Sequence, residues 1–353
     1  MSTTPADRRR RLPALPIGAA ARSPIGLEAG GDTLRFARAT VRGESAVWRT
    51  GRALLPPEAV RDGKAARRRL RELAREAGIP RGPARLVLAS PAIDIFPLTL
   101  PPGEAGTLDA RVVAQAREQL HYPLAEAVLD YLLLPEAVRR QGEEEEAVLV
   151  FCAPRALAEV WVDRLDRIGL VVESLTTPGC ALAPWLRTAV ADIRRLVIVA
   201  AEEATSIAVV QLGTVLLERI LPWGSRAWTD RLRSELDLDE RHCLALLEQP
   251  DPPAAVGDIL GPLCEELARE ADGCLAYCDS YLVARPPASV LLLGTLAGCA
   301  PLRAFLERAL QVPVRAGHDE LPLPGGDDRP PAAFAAAACA ALRPEAEEAR
   351  WAA

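Results

Sequence analysis

Short apolar runs of strand length recur along the chain, and the segments between them carry apolar residues at helical spacing. The first two runs, 25–29 and 34–40, are joined by a turn of sequence Gly-Gly-Asp, which predicts a β-hairpin. Residues 58–77 place alanine and leucine three and four positions apart, and Gly78 and Pro80 predict the end of that helix. The opening of the chain therefore predicts a mixed α/β fold.

The rest of the first half continues this alternation, with a change of character at about residues 91–146. A strand that ends at two prolines, a helix and a second strand-like run fill this block, which we interpret as a small inserted subdomain. After it the chain returns to strand–helix–strand–helix order, which is typical of parallel strands joined by crossover helices. The predicted strands are 85–89, 93–100, 127–134, 147–152 and 170–175, and the predicted helices are 108–120, 154–168 and 178–188.

The second half repeats the plan of the first. Three strand-like runs open it, Gly213 supplies the turn between the last two, and helix–strand units follow. Internal duplication of this kind predicts two related lobes. We predict a first lobe at 23–190, a second lobe at 191–343, a disordered basic tail at 1–22 and a C-terminal tail at 344–353. The predicted strands are 195–200, 206–212, 215–221, 289–293 and 312–315, and the predicted helices are 224–236, 239–248, 256–282, 301–310 and 332–342.

Composition and charge narrow the classes of function. The 353 residues carry a net charge of -6 and a pI of about 5.4, so we expect no nucleic-acid partner, which would require a basic face. No uncharged apolar run reaches the roughly 18 residues of a membrane-spanning helix. The eight cysteines form no CxxC pair, which favours buried thiols in a reducing compartment over a metal site. We also find no P-loop, dinucleotide fingerprint or GxSxG elbow, and assign no catalytic residue.

Several short stretches give the chain a family resemblance. Residues 25–30 read Ile-Gly-Leu-Glu-Ala-Gly, and the inserted block contains His-Tyr-Pro-Leu at 121–124 and Val-Leu-Asp-Tyr at 128–131. With these stretches the chain resembles the PilM family of type IV pilus proteins, in the actin-like ATPase superfamily and near the cytoplasmic domain of GspL. The resemblance implies a two-lobed, duplicated ribonuclease H-like α/β fold with a small subdomain inserted in the first lobe. The other matching stretches are 97–101, 148–153, 168–170, 178–182, 218–224, 290–298 and 302–314.

The resemblance also implies where a nucleotide would bind. In this superfamily two glycine-bearing hairpins and a third glycine-rich turn hold the nucleotide, and carboxylates hold Mg²⁺. Here the family's Asp and Gly of the second hairpin are replaced by Val199 and Ala201, and the third turn carries Leu296. We therefore predict a degenerate site and a pseudo-ATPase, with ATP and Mg²⁺ as cofactors only if the site is retained. The residual site residues are Glu28, which replaces the family's Asp, with Gly30, Gly31, Asp32, Thr205, Gly294 and Thr295.

The implied partners belong to a membrane machine. A PilM-like protein is cytoplasmic and peripheral to the inner membrane, where it binds the cytoplasmic tail of a PilN-like membrane protein and relays contacts to an assembly ATPase. A groove beside the inserted subdomain would suit a short apolar peptide. Two alternatives stay open: an active actin-like ATPase of the same machinery, and a relative of sugar or acetate kinases with Asp94 or Asp130 as its catalytic carboxylate. The predicted partner-binding residues are Ile93, Ile95, Leu98, Val112, Ala116 and Leu120.

Overall fold

A computed structural model describes ten stretches of the chain. The tails predicted at 1–22 and 344–353 lie outside the described residues. The described stretches are 23–42, 45–56, 64–103, 107–139, 145–187, 193–249, 251–283, 285–317, 320–325 and 329–342.

Strands and helices alternate through both halves of the chain. In the first half the elements are β1 Ile25–Gly30, β2 Thr33–Arg42, β3 Ser45–Leu54, α1 Lys64–Glu76, β4 Gly82–Leu88, β5 Asp94–Leu100, α2 Leu108–Gln119, β6 Ala127–Leu133, β7 Glu146–Pro154, α3 Arg155–Asp166, β8 Leu170–Thr176 and α4 Pro178–Leu182. In the second half they are β9 Arg194–Ala200, β10 Thr205–Gln211, β11 Thr214–Leu221, α5 Ser225–Leu236, α6 Glu240–Glu248, α7 Ala254–Tyr281, β12 Pro287–Gly294, α8 Ala300–Leu310, β13 Val314–Ala316 and α9 Ala335–Ala341.

Two five-stranded sheets have the same topology. Their strand orders are β3-β2-β1-β4-β8 and β11-β10-β9-β12-β13, and in each sheet the first three strands are antiparallel and the last two run parallel to the central strand. The duplication predicted from the sequence is therefore confirmed. We call the part of the chain around the first sheet the first lobe and the part around the second sheet the second lobe. The sheets occupy 25–176 and 194–316, and the outer bounds predicted for the two lobes stay predictions.

The inner strands of both sheets are covered on both faces. Every residue of β1 and of β10 is buried, so these strands are largely apolar and do not alternate between apolar and polar residues. On α1, by contrast, Ala66, Leu70 and Ala74 are buried on one side while the arginines of the helix remain in water. Glu28 of β1 and Arg35 of β2 are nevertheless buried charged residues, and such groups need partners inside the protein.

A third sheet, with strand order β5-β7-β6, forms the inserted subdomain. Helix α2 covers one of its faces, and Val112 and Ala116 of this helix pack with Leu98, Val148 and Val150 in one apolar cluster. The central strand β7 pairs on both sides, so β5 and β6 are the edges of the small sheet.

Two short helices cross between the lobes. Helix α4 follows the first sheet but packs on β10, whereas α9 follows the second sheet but packs on β1. The helix predicted at 178–188 was too long: α4 ends at Leu182 and a single 3₁₀ turn follows, since Pro184 has no N–H to continue an α-helix. The helix predicted at 332–342 likewise begins with a 3₁₀ turn, and its α-helical part covers 335–341.

Candidate functional site

The predicted nucleotide residues lie on three turns that face one another. Gly31, in the turn between β1 and β2, has a φ of +58°, and a Cβ atom there would lie 2.2 Å from Cγ of Glu203 in the β9–β10 turn. The backbone N–H of Thr295, just after β12, donates to the carbonyl of Ala200 at 2.9 Å. The structure therefore brings the three turns together, with the hairpin of the first lobe against two turns of the second.

Glu202 is the centre of this region. Its Oε1 accepts a hydrogen bond from Nη2 of Arg35 at 3.0 Å and forms an ion pair with Nη2 of Arg52 at 2.6 Å, while its Oε2 accepts a hydrogen bond from the hydroxyl of Thr33. All three partners belong to the first lobe, whereas Glu202 belongs to the second. The Glu202 side chain is only 8% exposed, so a buried carboxylate is satisfied across the cleft.

Arg35 joins this carboxylate to the third turn. Its Nη2 also donates to the hydroxyl of Thr295 at 3.1 Å, and its Nη1 lies 3.7 Å from Oε1 of Glu28. Glu28, Arg35 and Arg52 are cross-strand partners on β1, β2 and β3, so one row of charges crosses three adjacent strands. Arg35 therefore occupies the middle of the cleft and contacts both lobes.

Burial dominates the electrostatics of Glu28. Loss of solvent raises the pKa of its carboxyl above the ordinary value, Arg35 acts to lower it, and the nearby charge of Glu202 raises it further. Its Oε1 has no hydrogen-bond donor among the described residues. The charged group nearest to this carboxyl is therefore Arg35, an arginine of its own sheet.

A second set of ion pairs lies at the rim of the cleft. Arg226 lies near the start of α5, and its Nη2 donates a hydrogen bond to Asp32 at 2.8 Å. Its Nη1 lies 2.7 Å from a carboxylate oxygen of Glu203. Asp32 belongs to the first lobe, and Arg226 and Glu203 belong to the second. The three side chains are 34–42% exposed, so water screens these contacts more than it screens those of Glu202.

The remaining predicted site residues contribute backbone or buried side chains. A Cβ atom at Gly30 would lie 3.3 Å from the carbonyl oxygen of Ala89, and one at Gly294, whose φ is +81°, would lie 2.1 Å from that of Ala200. Thr205 is fully buried, and its hydroxyl has no hydrogen-bond partner in the described part of the chain. Gly30 and Gly294 therefore allow close backbone approach, the first within the first lobe and the second within the second lobe.

The substituted positions are part of the apolar core. Leu296 is fully buried in the large cluster of the second lobe, and Ala201 packs with Ala89 and Ala204 where the turns of the two lobes meet. Leu296 thus contributes packing that a glycine could not provide. No group of three metal-ligating side chains is placed to hold an ion within the described stretches.

The predicted site omitted four residues that shape this cleft. Thr33, Arg35, Arg52 and Arg226 make its cross-lobe contacts; none was in the predicted set of site residues, and only Thr33, as a possible phosphate cap, was suggested by the sequence. One signal was available: Arg35 lies inside an apolar strand of the first hairpin, where a charge needs a buried partner. The identity of that partner, 167 residues away, has no local signature.

The predicted partner-binding residues divide into two groups. Val112 and Ala116 are fully buried and Leu98 is nearly so, all within the core of the small sheet, while Leu120 packs against the same cluster. This burial argues against direct contact of Val112 and Ala116 with a partner, and their assignment to a partner surface stays a prediction. Ile93 and Ile95, in contrast, line a groove.

This groove has a volume of about 440 Å³ and lies between the small sheet and the second lobe. Its walls are two edge strands, β5 and β11, and Tyr277 of α7 lies beside both. Among the described strands, β5 pairs only with β7 and β11 only with β10, so each has an unpaired side. A smaller adjoining cavity extends past Leu98 to Tyr281. The residues that line the larger groove are Ile93, Asp94, Ile95, Pro97, Leu217, Glu218, Arg219, Ile220, Gly273, Cys274 and Tyr277.

The wall of the groove is attached to the first lobe through Glu218. This fully buried carboxylate accepts hydrogen bonds from the hydroxyls of Ser206 and Thr177, at 2.6 Å and 2.5 Å, and from the N–H of Gly179 at 2.8 Å. Burial raises the pKa of Glu218, and the three hydrogen bonds act to lower it. Glu218 therefore ties the start of α4 to β10 and β11.

The two aspartates considered for a kinase-like activity lie apart from the cleft. Asp94 begins β5 and lines the groove, whereas Asp130 is exposed on β6 and accepts a hydrogen bond from the N–H of Tyr131. Neither is among the residues that contact Glu202 or Arg226. A kinase-like carboxylate at the nucleotide cleft therefore gains no support from these two positions.

With two sheets of the same topology around one cleft and a small sheet inserted in the first lobe, the chain has the two-lobed actin-like ATPase fold. A chain of the PilM–PilN type IV pilus biogenesis complex is similar to it, with a TM-score of 0.70, 21% sequence identity and coverage of 91% of this chain and 98% of that one. The ethanolamine utilization protein EutJ from Carboxydothermus hydrogenoformans matches with a TM-score of 0.50, 13% identity and coverage of 93% and 91%. No family model and no curated protein matches the chain.

These similarities establish the fold and leave the function to be argued, because one fold serves many activities. None of the helices in the described stretches is both long enough and apolar enough to span a membrane.

Proposed function

We propose that this chain is a cytoplasmic scaffold in a type IV pilus or type II secretion-like platform at the inner membrane. In this role it binds the cytoplasmic tail of a PilN-like membrane protein and contacts an assembly ATPase. The observation that carries the proposal is the match to a chain of the PilM–PilN complex, which extends over nearly the full length of both chains. It agrees with the sequence resemblance within the inserted subdomain.

The groove between β5 and β11 is the proposed receptor for the partner's tail. An extended peptide could pair with an unpaired strand edge through its backbone and place alternate side chains against Ile93, Ile95 and Tyr277. Asp94 and Arg219 carry charges of opposite sign along the same groove, and Arg219 also forms an ion pair with Glu270 at 2.9 Å while its side chain stays 60% exposed. A short apolar peptide with a flanking charge therefore suits this surface.

We also propose that the nucleotide site is degenerate. Arg35 and Arg52, the cations best placed to bind a phosphate, are already paired with Glu202. Leu296 and Ala201 are buried in apolar clusters at the two turns of the second lobe. Calorimetric titration of the purified chain with MgATP should give no heat of binding up to millimolar nucleotide, and micromolar binding would instead favour an active actin-like ATPase.

The partner proposal is tested with a synthetic peptide that covers the cytoplasmic tail of the PilN-like protein encoded in the same genome. Arg219 is 60% exposed and water screens its pair with Glu270, so Arg219→Asp should leave the fold intact and weaken peptide binding about tenfold in fluorescence anisotropy. Ile95→Asp should abolish it. Arg67→Asp, on the exposed side of α1, is the matched control and should bind like the unmodified protein. Equal affinities in all four proteins would refute the groove as the receptor.

A further inference from the structure

We propose that the side chains at the cleft form an interlobe latch that keeps the two lobes closed without a ligand. The latch consists of Thr33, Arg35 and Arg52 of the first lobe with Glu202 and Thr295 of the second. This inference concerns contacts within the chain and is independent of the partner proposed above.

Several contacts of the latch are made by the guanidinium group of Arg35. Nη2 of Arg35 lies 3.0 Å from Glu202, after β9, and 3.1 Å from Thr295, after β12, so it bridges both second-lobe turns from the first lobe. The Arg35 side chain is 5% exposed, and charge-assisted hydrogen bonds are strengthened where water is excluded. Separation of the lobes would therefore break several buried contacts in one step.

The charges of the latch are paired without a bound anion. Arg35 and Arg52 face the carboxylate of Glu202, and the neighbouring carboxyl of Glu28 lies 3.7 Å from Arg35. A phosphate in the same place would add negative charge and draw the arginines away from Glu202. Glu202 would then be left as a buried carboxylate without its cations, which is strongly unfavourable. The latch and a phosphate therefore exclude each other.

The pairs at the rim reinforce the latch from the solvent side. Arg226 of the second lobe contacts Asp32 of the first lobe as well as its own neighbour Glu203. Because Asp32 and Glu203 are 39% and 34% exposed, both carboxylates stay in partial contact with water when Arg226 is removed. Arg226 therefore offers a way to weaken closure without endangering the fold.

Amide hydrogen exchange of the full, ligand-free chain tests the latch. In Glu202→Gln the shape of the side chain is kept and its charge is lost, so the amides of 30–35 and 201–204 should exchange at least tenfold faster than in the unmodified protein. Glu235→Gln is the matched control, because Glu235 forms an exposed pair with Arg231 on α5, at 3.3 Å. Equal exchange in Glu202→Gln and Glu235→Gln would overturn the latch.

Arg226→Met provides a second measurement that does not depend on the stability of the first variant. It should speed exchange in the same two segments about threefold, with unchanged exchange at 25–29 of β1 and in β9. Unchanged exchange at 30–35 in Arg226→Met would overturn the proposal, as would unprotected exchange of that segment in the unmodified chain.

Discussion

A Cβ atom at Gly26 in β1 would lie 1.7 Å from the carbonyl oxygen of Ala337 in α9. The missing side chain lets the backbone of the last helix rest directly on the central strand of the first sheet. Helix α9 has the sequence Ala-Ala-Ala-Ala-Cys-Ala-Ala and every residue of it is buried, so its own small side chains permit the same close approach. The C-terminal end of the second lobe is attached to the first lobe in this way.

We therefore predict that Gly26→Ala lowers the free energy of unfolding by about 3 kcal/mol, since the new methyl group meets backbone that cannot move aside by side-chain rotation. Urea unfolding followed by circular dichroism measures this change. Gly257→Ala is the control, because a Cβ atom there meets nothing within 4 Å and alanine favours a helix by about 1 kcal/mol over glycine. A loss below 1 kcal/mol in Gly26→Ala would show that α9 is not held this closely.

Leu296→Ala should lower the free energy of unfolding by about 3 kcal/mol, because Leu296 is fully buried and its truncation leaves a cavity. Chemical denaturation gives this value, and Leu54→Ala, at a position that is 50% exposed, should cost less than about 1 kcal/mol. Leu296→Ala should also gain no affinity for MgATP, because Arg35 and Arg52 remain paired with Glu202. A gain of ATP binding would identify Leu296 as the obstacle to the nucleotide.

The buried carboxyl of Glu218 predicts a specific pH dependence. Its pKa is raised in the folded protein, so the folded state binds more protons than the unfolded state above pH 4.5, and stability falls as pH rises from there through the folded pKa. Within that window the free energy of unfolding of the unmodified protein, relative to Glu218→Gln, should fall by up to about 1.4 kcal/mol per pH unit.

Urea unfolding at half-unit pH steps from 4.5 upward measures this difference. Glu235→Gln, which removes an exposed carboxylate, should run parallel to the unmodified protein over the same range. A constant difference between the unmodified protein and Glu218→Gln would mean that Glu218 has no raised pKa.

Thiol labelling should distinguish one cysteine from the other seven. Cys180 is half-buried, whereas the others are buried, and burial raises the pKa of Cys152, Cys264 and Cys274 to about 12. Because the thiolate is the reactive form, one thiol should react rapidly with a disulfide reagent in the folded protein and all eight in denaturant. Cys180→Ser should remove the rapid phase, and its persistence would show that another cysteine is accessible.

Peptide binding should depend on closure of the cleft, because the walls of the groove come from the small sheet and from the second lobe. Arg226→Met, which weakens the rim contacts, is expected to reduce affinity for the PilN-like tail about threefold in the anisotropy assay. Arg233→Met, another exposed arginine of α5 that pairs only with Asp230 of its own helix among the described ion pairs, is the matched control. Equal affinity in both variants would show that peptide binding in the groove does not depend on closure of the cleft.

The local sequence pattern determined the elements and their order. Largely apolar runs such as 25–29 and 195–200 became the central strands of the two sheets, because a strand covered on both faces is mostly apolar. The repeat of hairpin and helix–strand units predicted the duplication, and the changes at Val199, Ala201 and Leu296 directed attention to the nucleotide cleft. These inferences needed only spacing and residue type, which are properties of short stretches.

The tertiary structure alone decided which side chains meet. Arg35 and Glu202 are 167 residues apart, and only the packing of one lobe against the other places them 3.0 Å from each other. The same holds for Ile95 and Val112: both are apolar residues of the inserted block, yet one faces a groove and the other the core. Periodicity identifies a buried face but not its neighbour, because the neighbour depends on how whole elements are arranged in space.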